Sequence, residues 1–395
     1  MSRQRRRSRE LAVALLAGAI ASCRACSGDA SSEARPAAST ARGDDARTSD
    51  HGALDVEPFR ARARVPAVGW AWVTRDEAAS GAVGAADVER AEAAGAATAF
   101  EAASIAKTIV ATCVMQLVEE GKLALDADVS TYVGFAVRHP RANAPITLRH
   151  LLTHTASIAD RAATRDPGGV ALGDFLGAYF ADAGGGGVFL DALPGTSMSY
   201  SNAGPSLAAL AVERAAGVPF AERARSHVLA PLGMRATAFG LEGLPPGTPV
   251  ATPHAARSAG FARLPAPSHA LYPVVDLFAT PRDLARFARA VLRGGELDGA
   301  RILTKPSVDE MLRVQMPDAA PADALGWQVR RFGGRVVVGH EGEDAGASTG
   351  LYLDVGAGAG AVVLANGDAF QSGEADRAAA LGDLVERLLV AATAP

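Results

Sequence analysis

The chain has 395 residues, 49% of them hydrophobic, and its 39 basic and 43 acidic side chains leave a net charge of only −4. That length and apolar content can bury a large core, as one globular unit or two interlocked ones, and the near balance of charge offers no bulk attraction for nucleic acid. No internal repeat of 20 to 50 residues is visible, which excludes a solenoid.

Residues 1–22 read as an export signal of the lipoprotein type: Arg3, Arg5, Arg6 and Arg7, an apolar run from Leu11 to about Ile20, then small residues. The run is too short to span a bilayer comfortably. Ile20-Ala21-Ser22-Cys23 resembles the lipobox of bacterial lipoproteins, whose cysteine becomes the lipidated N-terminus, so a membrane attachment through Cys23 is expected. An ordinary cleaved signal, with Cys23 free to pair with the nearby Cys26, is the alternative. Residues 23–57 hold too few apolar side chains to fold alone and read as a flexible tether, leaving 58–395 as the folded domain.

Val68–Thr74 and Gly81–Ala85 read as two short strands around a charged turn, a hairpin. Ser104 then opens a helix whose apolar residues, among them Ile105, Ile109, Cys113, Val114, Leu117 and Val118, cover most of its circumference, so the helix should be buried and Cys113 with it as an unpaired thiol. From about 125 to 320 short amphipathic helices alternate with loops: Leu148–Thr153, Leu172–Phe180, Ser206–Ala216, Phe220–Leu229 and Pro281–Leu292. Strand pattern returns at Gly326–Arg331, Arg335–His340, Thr349–Asp354 and Ala359–Asn366. A closing helix carries Leu381, Leu384, Val385, Leu388 and Leu389 on one face. Strands at both ends with helices between them imply an α+β fold: a mostly antiparallel sheet built from both chain ends, flanked by helices, with a mainly helical region inserted.

Only three of the 39 basic residues are lysines, and one, Lys107, lies three residues after Ser104. Arg stays protonated, whereas a buried Lys can lose its proton, so a chain this biased to Arg spends a Lys where basicity is wanted. At i and i+3 on a helix the two side chains share a face, about 5–6 Å apart at Cβ. An amine with a lowered pKa can take the hydroxyl's proton, and the helix N-terminus aims N–H groups where an oxyanion would form. The pair alone is cheap to meet by chance. Tyr200-Ser201-Asn202 adds a phenol that can relay a proton and an amide that can orient a carbonyl, in a chain with only three asparagines and five tyrosines. His340-Glu341-Gly342 follows an apolar strand, and its glycine allows close approach to the strand edge.

These three elements, in this order, resemble the serine beta-lactamase and penicillin-binding-protein superfamily, specifically its class C-like branch with a Tyr-x-Asn middle motif. The likeness extends over about residues 60 to 392 and includes Leu117–Asp126, Ile146–Thr155, Pro194–Asn202, Pro231–Met234 and Thr280–Phe287. It implies a serine hydrolase that cleaves a small ester or amide through an acyl-enzyme, without metal or other cofactor. Ser104 would be the nucleophile, Lys107 and Tyr200 would share the proton work, and Asn202 would orient the substrate. His340 and Gly342 would line the substrate edge, and the N–H groups of Ser104 and Glu343 would form the oxyanion hole. A membrane-tethered module that binds penicillin or cell-wall peptide with little or no turnover is the alternative.

Dedicated class C beta-lactamases carry Lys-Thr-Gly where this chain has His-Glu-Gly. A neutral histidine offers a weaker anion site, and Glu341, Glu343 and Asp344 are expected to crowd the turn with negative charge, which favours esterases and D-amino-acid-specific peptidases over anionic lactams. Val275-Asp276-Leu277 replaces a Gly-Gly-Leu pattern frequent in relatives, and Asp276 is not assigned to the site. His150 and His154 lack the glutamate of His-Glu-x-x-His and read as structural. Trp70, Trp72 and Trp327 read as core. The absence of a Gly-x-Ser-x-Gly elbow argues against an alpha/beta-hydrolase.

Overall fold

The computed structural model describes residues 54–160, 169–181 and 187–394. The expected export signal, Cys23 and nearly all of the tether lie outside the described residues, as do positions 161–168 and 182–186. The tether boundary at residue 57 falls in the first turn of a helix, Glu57–Ala63.

Seven strands form one antiparallel sheet. Their spatial order is Gln328–Phe332, Arg335–Asp344, Ala347–Asp354, Ala359–Ala365, Ala67–Thr74, Ala78–Asp87 and Glu92–Ala93. The N-terminal hairpin joins the C-terminal meander where Trp70 pairs with Val363 and Trp72 with Ala361. The α+β sheet built from both chain ends is therefore present, and helices cover both of its faces. Alternation along a strand makes this double burial possible. In Ala67–Thr74, Val68 and Trp72 face the C-terminal helix, while Ala67, Ala71 and Val73 face the larger core.

Behind the sheet, helix Ala375–Thr393 lays Leu381, Leu384, Val385, Leu388 and Leu389 against the strands. Each such side chain contributes about 1.5–3 kcal/mol of transfer free energy. In front, helix Pro281–Leu292 starts with proline in its first turn, and Thr280 Oγ1 accepts the Asp283 N–H at 3.1 Å. This helix approaches so closely that a Cβ on Gly69 would stand 2.7 Å from Pro281 and 2.9 Å from the Phe100 ring.

The inserted region holds helices Leu148–Leu152, Leu172–Ala181, Ala203–Ala216 and Phe220–Ala224. At Arg225–Leu229 the stretch expected as one helix from Phe220 continues as a π turn. Small sheets also occur within this mainly helical region. Leu277–Ala279 pairs on one side with Phe100–Glu101 and on the other with Ala238–Phe239. Strands of two or three residues are too short to print a period in sequence.

Helix Ala106–Glu119 is buried from Ala106 to Leu117, as its apolar circumference requires. Cys113 is a buried free thiol whose pKa desolvation pushes up to about 12. Trp72 and Trp327 are buried in the core, and Trp70 packs partly against it. Among the described residues no helix is long and apolar enough to cross a membrane.

Candidate active site

Ser104 lies in a 3₁₀ turn, Ala103–Ile105, that leads into helix Ala106–Glu119, so it precedes the α-helix rather than opening it. The residue before it, Ala103, has φ 45°, a left-handed conformation unusual for a side chain with a Cβ. Such strain costs of order 1–3 kcal/mol and is maintained by the packing around it. The Ser104 side chain is thereby held, 6% exposed, between Lys107 and Tyr200.

Lys107 Nζ lies 2.8 Å from Ser104 Oγ, 2.8 Å from Asn202 Oδ1 and 3.0 Å from the Val274 carbonyl oxygen. Three acceptors match the three N–H bonds of an ammonium. A neutral amine has two N–H bonds and one lone pair. Two of the positions are carbonyl oxygens that can only accept, so the lone pair of the neutral form must point at the serine hydroxyl. Burial drives the Lys107 pKa down to about 7, against the opposing pull of Asp160 and Asp344. The amine can therefore exchange its proton near neutral pH.

Tyr200 OH donates to Ser104 Oγ at 2.9 Å. The residue is 42% exposed, yet its hydroxyl ends on a buried serine. Desolvation, with help from the Asp160 and Glu343 charges, holds the phenol above its usual range, and the Ser104 hydrogen bond only partly opposes this. Tyr200 is thus a neutral phenol at rest. The histidine segment proves to be its support. His154 stacks on Tyr200 with ring centroids 4.3 Å apart, and its Nδ1 accepts the Ser201 N–H at 3.3 Å. His150 instead caps its own helix with Thr147. Asp160 closes the N-terminus of Ala203–Ala216, accepting the N–H groups of Asn202 and Ala203 and so fixing the Tyr200–Asn202 turn.

Strand Arg335–Asp344 extends through the third motif instead of ending at His340. It pairs with Ala347–Asp354 along its outer length but with Gln328–Phe332 only as far as Gly339, which leaves one backbone edge of 340–344 open. Gly342 in this stretch lies against the Ser104 turn. A Cβ on Gly342 would meet Thr349 Oγ1 at 2.2 Å and the Ala102 carbonyl at 2.5 Å, so only glycine lets the strand come this near. The Thr349 hydroxyl donates to Ala102 O at 2.9 Å across the seam.

The expected crowding of negative charge is corrected by strand alternation. Glu341 and Glu343 line a cavity of about 330 Å³ on the opposite face, with Phe332, Tyr352 and Leu381. Only Asp344 shares the face of His340 and Gly342. His340 is buried, and its Nδ1 lies 2.5 Å from the Glu341 carbonyl oxygen, to which it donates. Burial first, then the Lys107 charge, lower its pKa to about 3, so it is an uncharged ring throughout the neutral range. Ser104, Lys107, Tyr200, Asn202, His340 and Gly342 are thus brought together, and the Glu343 side chain lies on the opposite face of the sheet.

No motif signals His154, Asp160 or the Val274 carbonyl as chemistry. Among the described residues no cluster of three or more His, Cys, Asp or Glu side chains has the arrangement to hold a metal ion.

Residues 54–385 match the family described as "Beta-lactamase". Penicillin-binding protein 4 of Amycolatopsis lactamdurans is 30% identical over 68% of this chain and 72% of its own length. Esterase EstB of Burkholderia gladioli is 38% identical over a shorter stretch, 36% of this chain and 38% of the esterase. The D-amino acid amidase of Ochrobactrum anthropi superposes with a TM-score of 0.71 at 24% identity, covering 85% of this chain and 96% of the amidase, a likeness of fold. With the matched family spanning most of its length and the sheet, strained serine turn and facing lysine in place, the chain belongs to the Beta-lactamase family, within the serine beta-lactamase and penicillin-binding-protein superfamily.

Proposed function

We propose that the protein is an exported serine hydrolase of the class C-like branch, cleaving a small ester or amide through an acyl-enzyme on Ser104. The observation that carries this reading is the Lys107 amine, buried and held by two carbonyl acceptors so that its remaining position faces Ser104 Oγ. Neutral Lys107 takes the Ser104 proton as Oγ attacks the substrate carbonyl carbon. The oxyanion is received by the N–H groups of Ser104 and Glu343. When the intermediate collapses, the proton passes from Lys107 through Tyr200 to the departing oxygen or nitrogen. Water then repeats the sequence on the acyl-serine, releasing the acid and restoring the serine. Because Tyr200 is neutral at rest, Lys107 is the resting base and Tyr200 the relay. Asn202 Oδ1 is engaged by Lys107, which leaves its Nδ2 for the substrate carbonyl.

An uncharged His340 offers no cation to a substrate carboxylate, which favours neutral esters and amides. The esterase and D-amino acid amidase relatives support hydrolysis of that kind. Likeness to a penicillin-binding protein supports the second reading, a module that acylates once and stops.

Intact-mass spectrometry after exposure to a fluorophosphonate, a para-nitrophenyl ester and a penicillin tests both, with Ser104→Ala as control. A Ser104-dependent phosphonyl adduct with rapid ester turnover and little penicillin adduct is expected. A penicillin adduct that persists replaces this reading with the binding module, and no adduct from any reagent removes Ser104 as nucleophile. We also infer a lipid anchor on Cys23. Cys23→Ser is then expected to move the protein from the membrane to the soluble fraction, and a wild type already soluble after export overturns the anchor.

A further inference from the structure

The cavity of about 330 Å³ that Glu341 and Glu343 line takes no part in the steps above. Its walls come from the long strand and its neighbours on one side and from helix Ala375–Thr393 on the other. Where the lining is buried it is apolar or aromatic, with Val363, Leu381 and Tyr352. Where it reaches solvent it is acidic: Glu341 is half-buried and Glu343 exposed. The Tyr352 ring meets Phe332 edge to face, with centroids 4.7 Å apart.

Two glycines shape this space. A Cβ on Gly350 would stand 2.5 Å from the Tyr352 ring, so the ring takes the place of a side chain there. Gly382 is different. It lies inside helix Ala375–Thr393, where glycine is less favourable than alanine. A Cβ there would meet nothing nearer than a Phe332 ring carbon at 3.8 Å, so no crowding demands the glycine. What its missing side chain leaves is room in the cavity.

The charge of the lining is only partly answered from within the protein. Glu341 Oε1 accepts the Tyr352 hydroxyl at 3.2 Å and Arg330 Nε at 3.4 Å. Arg330 also donates to Gln328 Oε1 at 2.6 Å. Both bonds to Glu341 fall on Oε1, and among the described residues none reaches Oε2. Burial first, then the charges of Glu341 and Glu343, hold the Tyr352 phenol well above its usual range, with Arg330 opposing them. The phenol is therefore neutral and the negative charge stays on the carboxylates.

We propose that this cavity is a second ligand site, which takes a small organic cation: an ammonium group at Glu341 and Glu343 with a hydrocarbon or aromatic body against Phe332, Tyr352 and Leu381. Carboxylates attract the cation, and the aromatic rings add to that attraction while covering its body. The volume lies in the range of small-ligand pockets. An anion would be repelled, and a neutral molecule would leave the carboxylates unanswered. Strand alternation separates the site from His340 and Gly342, so the inference goes beyond the acyl-enzyme reading and does not depend on it.

The test is calorimetric titration of the wild type, Glu341→Gln and Gly382→Leu with benzyltrimethylammonium, benzylamine, benzyl alcohol and benzoate. Each titration is repeated after fluorophosphonate labelling of Ser104, and each variant is melted. The wild type should bind the two cations at one molecule per chain, at least about tenfold more tightly than the alcohol or the acid, with Kd unchanged by labelling. Glu341→Gln should weaken the cations about tenfold, since an amide keeps the shape and loses the charge. Gly382→Leu fills the space and should lose binding without a fall in melting temperature, because leucine is the better helix former. If that variant does not fold, the nearly isosteric Glu341→Gln still decides.

Binding of neither cation at millimolar concentration overturns the proposal, as does equal affinity for benzyl alcohol or unchanged affinity in Glu341→Gln. Cation binding that Ser104 labelling abolishes places the ligand in the catalytic site and overturns it too. A wild type without any Ser104 adduct overturns the acyl-enzyme reading instead, while the titrations of the unlabelled protein still decide the cation site.

Discussion

Lys107, in front of the main sheet, and Leu384, behind it, are both 0% exposed, yet burial does opposite things to them. Behind the sheet, desolvation of Leu384 and its neighbours is favourable and pins the C-terminal helix. In front, the same desolvation penalises an ammonium and brings the Lys107 pKa down to about 7. Lys305 shows what the residue does when left outside: it is exposed and pairs with Asp309 one helical turn away. Exclusion of water is thus a source of stability on one side of the sheet and of reactivity on the other.

The sharpest way to break this contrast is Lys107→Arg, which keeps charge and removes basicity. Acylation should fall about 10²–10⁴-fold at every pH, measured as the rate of Ser104 phosphonylation. In the wild type the neutral amine is the active form, so kcat/KM should rise with pH through about 7, the Lys107 value. An active arginine variant removes Lys107 as the base. Leu384→Ala makes the complementary cut. It should cost about 2–5 kcal/mol of stability by chemical denaturation while leaving kcat per folded molecule unchanged. A change in kcat without loss of stability would mean that the back layer reaches the chemistry. The smallest effect is expected from His340→Lys, which replaces an uncharged ring with a cation on the site face. The preference for carboxylate-bearing over neutral esters should rise by about 1.5 kcal/mol, roughly tenfold in relative kcat/KM. An unchanged preference means that His340 does not sort substrates by charge.

Where the sequence repeats a simple pattern, it reads through to the structure. The short apolar runs Val68–Thr74 and Ala359–Asn366, with leucines on one face of the last helix, are enough to place the sheet and its back layer. Lys107 is legible because lysine is so rare in this chain. Patterns of two or three residues are not legible, which is why Ala238–Phe239 and Leu277–Ala279 read as loop. The length of the long strand matters most. Taking it to end at His340 put Glu341, Glu343 and Asp344 in one crowded turn, whereas continuing it to Asp344 divides them between two faces. The approach of His269 to Asp344 depends on segments far apart in the chain, and no local pattern encodes such proximity.

The junction of the two chain ends also bears on when the protein can fold. Ala67 N–H donates to the Asn366 side chain at 2.7 Å, a bond between residues 299 positions apart, and the Asn366 amide nitrogen returns to the carbonyl oxygens of Ala85, Ala86 and Thr252. Strand Ala67–Thr74 has its partner on that side only once Ala359–Ala365 has been made. Contacts of such long range slow folding, because the loop must close before the pairing rewards it. The Ser104 turn is encoded early but assembled late, since Gly342 and Thr349 must arrive to pack against it. A nascent chain therefore carries Ser104 and Lys107 long before residues 342–366 exist to complete their surroundings.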